Sequence, residues 1–162
     1  MLVKRMDRRL RMAEPTKEAL DLEAISERYF AAWEARDPDA IVSLHTEDTQ
    51  FWTHLGTEAV KGREAVRATF AELFERFPGF GFETHRVLYG PDFWVLDWAL
   101  TFRPEGSEER RRFDCLDVVN LSPDGLVARK DTFVDMVQLQ AAMPDSNVAA
   151  EAAEVANREV AA

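Results

Sequence analysis

The sequence is short of the residues that staple or ligate. Cys115 is the one cysteine in 162 residues, so no internal disulfide can form, and a cysteine-based zinc site, which needs several thiolates or histidines close together, has no donor set. A chain of this kind is expected in the reducing cytoplasm. Histidine is equally sparse: His45, His54 and His85 stand at unrelated spacings, and neither a metal site nor a cofactor is expected. Long apolar runs are also absent. The longest, such as Phe93–Leu96, fall far short of the ~20 residues that a membrane-spanning helix needs. No secretory apolar core follows the basic opening either. Basic residues are outnumbered, 20 Lys and Arg against 30 Asp and Glu, for a formal net charge of −10. Such a charge repels phosphate backbones and anionic headgroups, so no nucleic-acid or membrane partner is expected.

What is present is globular. The chain is 46% hydrophobic and 31% charged, and its 11 Phe and 4 Trp supply large core side chains, enough for one domain of ordinary size without staples. The charge is uneven. Residues 1–11 hold five basic groups and one acid and so carry +4; the remaining 15 basic and 29 acidic residues carry −14. Residues 1–18 are therefore read as a basic, flexible arm. A domain is expected over 19–142, and the Ala/Glu-rich end, 143–162, is read as a frayed tail without a wide apolar face.

Within the domain, Leu22, Ile25, Tyr29 and Trp33 fall on one helical face, which predicts a helix over about 16–36. Asp37-Pro38-Asp39 restarts a short second helix, to about His45: Asp37 can cap, and Pro38 suits the first helical position. Gln50–His54 reads as a strand broken by Gly56. Arg63 then opens a third helix with Val66, Phe70, Leu73, Phe74 and Phe77 in register, stopped by Pro78-Gly79. From Phe80 the period becomes strand-like. Phe82–Tyr89, Phe93–Phe102, Phe113–Leu121 and Leu126–Val134 are separated by Gly- and Pro-containing turns short enough for antiparallel hairpins. The mixed-charge stretch 103–112 is a solvated hairpin tip, and Met136–Met143 predicts a last helical turn. Helices followed by a meandering sheet is the α+β pattern, with helices on one face of a curved, mostly antiparallel sheet.

This order resembles the nuclear transport factor 2-like superfamily. The run Arg28-Tyr29-Phe30-Ala31-Ala32-Trp33, followed by Asp37 to Leu44 and Glu47-Asp48, looks like the opening of ketosteroid isomerases and SnoaL-like polyketide cyclases. Lys61-Gly62-Arg63-Glu64-Ala65-Val66 looks like their third-helix entry, and Asp124-Gly125 through Phe133-Val134-Asp135 like their last strand. The resemblance implies a cone-shaped sheet wrapped around three N-terminal helices, a pocket at the open end and a homodimer. Leu116 and Val118 on the outer sheet face are consistent with that dimer.

The resemblance to ketosteroid isomerases also implies roles. Tyr29 and Asp117 would donate hydrogen bonds to a developing enolate, with Asp117 held protonated by apolar surroundings. The general-base position falls on Thr53, whose hydroxyl cannot take a proton from carbon at neutral pH. His54 could replace it only if a bulge turned it inward. Limonene epoxide hydrolases need an Arg–Asp–Asp triad; the corresponding positions here are Trp98, Leu100 and Thr132, so that triad is missing. SnoaL-like cyclases use one acid/base carboxylate in a hydrophobic pocket, a part Asp117 could play. Trp33, Phe51, Trp98 and Leu100 would be walls, completed by Thr53, His54, Cys115, Val119 and Thr132. The function expected is cofactor-independent acid/base chemistry (cyclisation, isomerisation, dehydration or hydrolysis) on a small apolar molecule. The alternative is a non-catalytic module of the same fold that binds a ligand or dimerises. Asp97 and Asp131 alternate away from the wall and are read as outer-face residues.

Overall fold

The computed structural model describes residues 19–143, so the basic arm and, Met143 apart, the Ala/Glu-rich end lie outside the described residues. Asp21 accepts a hydrogen bond from the Ala24 backbone N–H at 3.1 Å and so starts helix α1, Leu22–Glu34. The helix is shorter than its periodicity predicts. The Asp21 cap satisfies its first turn, and Arg36, at φ 53°, turns the chain out of the helix two residues after its end. Asp37 then accepts from the N–H groups of both Asp39 and Ala40 and caps α2, Pro38–Ser43, as expected of an Asp-Pro-Asp restart.

The remaining elements are β1 His45–Thr53, β2 Val60–Lys61, α3 Arg63–Arg76, β3 Gly81–Tyr89, β4 Phe93–Phe102, β5 Arg111–Leu121, β6 Val127–Val134 and α4 Met136–Ala142. The six strands form one sheet in the order β2-β1-β6-β5-β4-β3. All neighbours are antiparallel except β1 and β6, which run parallel. The sheet is therefore mixed and the class α+β. Strand β1 begins at His45, where the pattern alone reads the end of a helix. His45 pairs with Val127, whose N–H donates to the Leu44 carbonyl at 2.9 Å, and the polar stretch up to Gln50 is carried on a register shift. Chain-distant pairing thus overrides a weak local preference.

The helices cover one sheet face. Trp33 meets Phe70 at 4.7 Å between ring centroids, Phe70 meets Phe51 at 5.0 Å, and Phe74 meets Phe80 at 5.1 Å. Along β5 burial alternates strictly, Phe113, Cys115, Asp117, Val119 and Leu121 inward, the period-2 signature of a sheet with one covered face. Bulges at Thr84/Arg86 and Asn120/Leu121 interrupt the ladder, and such insertions bend strands. No helix among the described residues is long and apolar enough to cross a membrane.

Candidate active-site cavity

Strand alternation delivers the polar groups of the site to the inward face. Asp117 of β5 lies opposite Thr132 of β6, and Lys130, two residues before Thr132, lies opposite Val119. Residues i and j−2 across an antiparallel pair are diagonal neighbours within reach of a long side chain. The Thr132 hydroxyl accordingly donates to Asp117 Oδ1 at 2.7 Å, and Lys130 Nζ pairs with Asp117 Oδ2. Both ionic side chains are almost wholly buried, 4% exposed for Lys130 and 5% for Asp117. Lys130 Nζ also stands 5.5 Å from the centroid of the Trp33 ring, close enough for cation–π attraction.

These groups sit in the wall of an apolar cavity of about 500 Å³, within the size range of small-molecule sites. Tyr29, Phe30 and Trp33 from α1 face Leu96, Trp98 and Leu100 from β4 across it; Phe51 and Thr53 come from β1, Phe113 and Cys115 from β5. Thr57 and Glu58 from the loop before β2 and Thr69, Glu72 and Arg76 from α3 also contribute to the lining. Thr57, Glu58, Glu72 and Arg76 are exposed and mark the solvent end of the cavity, whereas the Asp117–Lys130 pair is buried in its wall.

Tyr29 is the second polar feature. Its hydroxyl lies 3.1 Å from His45 Nε2, and His45 Nδ1 lies 2.9 Å from the Thr49 hydroxyl, giving a buried chain of three side chains. Burial pushes the Tyr29 phenol well above its ordinary range; a hydrogen bond with Trp33 opposes the shift and the negative charge of Asp117 adds to it. Burial, with the charges of Lys130 and Arg63 second and third, lowers His45 to about 3. His45 is therefore neutral at pH 7, with one N–H and one lone pair. With its N–H on Nε2 it donates to Tyr29, and the phenolic hydrogen is free for a ligand; with the N–H on Nδ1, Tyr29 donates back to His45. Burial likewise raises the Cys115 thiol, the nearby Asp117 charge adding to it, so Cys115 is a wall residue and not a thiolate nucleophile.

Nine of the expected site residues meet at this cavity: Tyr29, Trp33, Phe51, Thr53, Trp98, Leu100, Cys115, Asp117 and Thr132. Two expectations are corrected. His54 is turned to the opposite sheet face, where Nε2 lies 2.9 Å from Asp131 Oδ1 and its ring stacks on Phe133 at 4.1 Å. No bulge intervenes between Thr53 and His54 to bring it inward. Val119 is buried in the core cluster rather than in the cavity lining. The surroundings of Asp117 also differ from those expected: a cation and a hydroxyl meet its two oxygens, in place of a purely apolar setting. Sequence reasoning missed Lys130 and the His45–Thr49 pair. Period-2 alternation from Thr132 would have placed Lys130 inward, but lysine is so seldom fully buried that the pattern was outweighed. Among the described residues no three His, Cys, Asp or Glu side chains are grouped to hold a metal ion.

A SnoaL-like domain family matches residues 26–130. The chain belongs to the SnoaL-like domain family. Its solved structural neighbours share the fold, an α+β arrangement of helices on a mixed sheet. They include a protein assigned as a SnoaL-like polyketide cyclase from Jannaschia sp. CCS1, 24% identical over 77% of this chain and 92% of its own, TM-score 0.67. SalBIII, an epoxide hydrolase/cyclase-like enzyme of pyran ring formation in the polyether salinomycin, is 21% identical over 76% and 97%, TM-score 0.65. A protein of ketosteroid isomerase-like fold from Catenulispora acidiphila DSM 44928, in complex with trimethylamine, is 14% identical over 73% and 90%, TM-score 0.65. At these identities the likeness establishes the fold. No curated protein matches the sequence. The SnoaL-like cavity of this chain departs from the expected pattern mainly in the buried lysine.

Proposed function

We propose that the cavity performs cofactor-independent acid/base chemistry on a small apolar molecule bearing a carbonyl. The observation that carries the reading is the meeting of a carboxylate, an ammonium and a phenol in the wall of one apolar cavity. With Thr53 at the general-base position, Asp117 is the one inward carboxylate of the sheet wall, so the proton-taking role falls to it. It removes a proton next to the carbonyl, and the electron pair moves onto the oxygen as an enolate. Lys130 N–H groups and the Tyr29 hydroxyl donate to that oxygen. Donors aimed at developing charge in a water-poor site are among the largest contributors to catalysis. The enolate then collapses by returning the proton to another carbon, by closing a ring or by expelling a leaving group, and the substrate decides which.

The test is carbon-bound hydrogen exchange in D₂O with a panel of flat polycyclic ketones, followed by NMR. Exchange that depends on the protein and falls at least ~100-fold in Asp117→Asn supports the reading, since a positioned carboxyl contributes typically ~10²–10⁴. Exchange unaffected by Asp117→Asn removes that residue from the mechanism. A second reading, a binding module of the same fold, is favoured by the engagement of both Asp117 oxygens; tight ketone binding without exchange would select it. The outer sheet face, with Leu116, Val118 and the exposed Phe133, is the surface through which the chain would form a homodimer.

A further inference from the structure

The described part of the chain holds eleven arginines. Five have a carboxylate partner: Arg63, Arg67, Arg86, Arg112 and Arg129. Three more are engaged otherwise, Arg28 with the Ala24 carbonyl, Arg111 with the Ala142 carbonyl and Arg76 over the Phe77 ring. Among the described residues the three that remain without a partner are Arg36, Arg103 and Arg110, and all three line one open groove of about 550 Å³. In a chain with an acidic surplus of ten, unpaired arginines left to chance would be dispersed among carboxylates. Their convergence is local and costs electrostatic repulsion between like charges.

Two features of the backbone build the groove. Arg36 is the one non-glycine residue at positive φ among the described residues, 53°, directly after the C-cap of α1. Glycine is the favoured residue at that position because a side chain is strained there. The carbonyls at the end of α1 would account for a cation at position 36, but not for Arg103 and Arg110. Opposite it, the Pro78-Gly79 turn and the hairpin tip are joined by the Arg103 N–H to the Pro78 carbonyl, 2.8 Å. A Cβ on Gly81 would lie 2.7 Å from Arg110 Nη2, so the missing side chain is the space in which that guanidinium lies. Ser107 Oγ accepts from the Glu109 N–H at 3.1 Å, which leaves its own hydrogen free to donate. Glu34 is the one carboxylate in the groove wall. Among the lining residues, three arginines against one glutamate leave a formal +2, the complement of a phosphate monoester dianion, while the exposed Glu105, Glu108 and Glu109 of the same hairpin tip stand outside the lining.

We propose that this groove binds the phosphate group of a small phosphorylated molecule, at a site separate from the polar end of the apolar cavity. Guanidinium groups match phosphate oxygens through paired N–H donors, and the two walls supply them from both sides. Phe80 is shared between this groove and the cavity, so a ligand here would rest against the far side of a cavity-wall residue.

The experiment is a titration of the full chain with inorganic phosphate and, separately, pyrophosphate at low salt, read by NMR of arginine side-chain and backbone N–H groups. The expected result is saturable shifts confined to Arg36, Arg103, Arg110, Gly79, Gly106 and Ser107, with millimolar or tighter affinity. Arg103→Gln/Arg110→Gln should weaken binding at least about tenfold, while Arg67→Gln, at an arginine paired with Asp39, should leave it unchanged. Arg36→Gly adds a second readout: it relieves the positive φ and should raise the melting temperature while weakening phosphate binding. Shifts spread over all exposed arginines, affinity unchanged in the double variant, or no saturation in the millimolar range would each overturn the proposal. Because no step uses Asp117, a failure of acid/base chemistry in the cavity would leave this result standing, and the reverse.

Discussion

Lys130 and Asp117 form an ion pair in the cavity wall with the carboxylate's other oxygen held by Thr132. Two charges taken out of water are tolerated only while each satisfies the other, and removing one partner of a buried pair strands the second. Lys130→Met should therefore cost about 3–5 kcal/mol of stability, whereas Lys130→Met combined with Asp117→Leu should recover most of it. Urea denaturation of the two single variants and the double variant measures the coupling. Additive losses would mean that the pair carries no interaction energy.

His45 makes stability depend on pH. Its folded-state value is lowered to about 3, by burial first and by Lys130 and Arg63 after it, against an ordinary value of ~6.5. Between those limits the unfolded chain binds a proton that the folded chain does not. Stability from this group is fully present above ~pH 6.5 and falls by about 1.4 kcal/mol per pH unit as pH drops toward 3. Asp131 behaves as a depressed carboxylate, through Arg129 first, so its contribution is lost only below about pH 4. Urea midpoints from pH 7 to about 3 should show the His45 slope, and His45→Gln should flatten it above about pH 4 while leaving the carboxylate loss below that pH.

Tyr29→Phe separates ground-state binding from chemistry. Loss of one neutral hydrogen bond should weaken a bound ketone by about 0.5–1.5 kcal/mol, read from quenching of the Trp33 and Trp98 fluorescence. If the phenol stabilises an enolate, hydrogen exchange should fall further, by roughly 10²-fold or more. Equal losses in binding and exchange would confine Tyr29 to positioning the ligand.

Outer-face substitution tests association. Trp52, His54 and Phe133 stack in a row on that face, with ring centroids 3.9 and 4.1 Å apart, and Phe133 is exposed. Light scattering should give a dimer mass for the parent chain and a monomer mass for Phe133→Glu or Leu116→Glu, with melting temperature little changed. A monomeric parent chain would end the dimer reading.

Much of the fold is legible in local chemistry. The Asp-Pro-Asp restart, the Pro78-Gly79 stop and the turns between the last four strands are encoded by single residues whose backbone preferences need no tertiary help. Strand β4 runs from Phe93 to Phe102 as the pattern reads it, because its large apolar residues are bounded by Gly90-Pro91-Asp92 and Pro104. The early start of β1 was not legible, since its pairing with β6 joins residues about 80 positions apart.

The sequence by itself determined the α+β order, the inward alternation of Asp117 and the aromatic walls, because periodicity and turn residues act over a few positions. Tertiary structure decided what Asp117 touches. Only the register of β5 on β6 sets Lys130 diagonally across from it, and only the packing of α1 on the start of β1 joins Tyr29 to His45. The same limit applies to the groove: no local signal says that Arg36 shares one space with Arg103 and Arg110 of a chain-distant hairpin tip. Charge pairing is a property of distance in space, and distance is what a linear pattern leaves open.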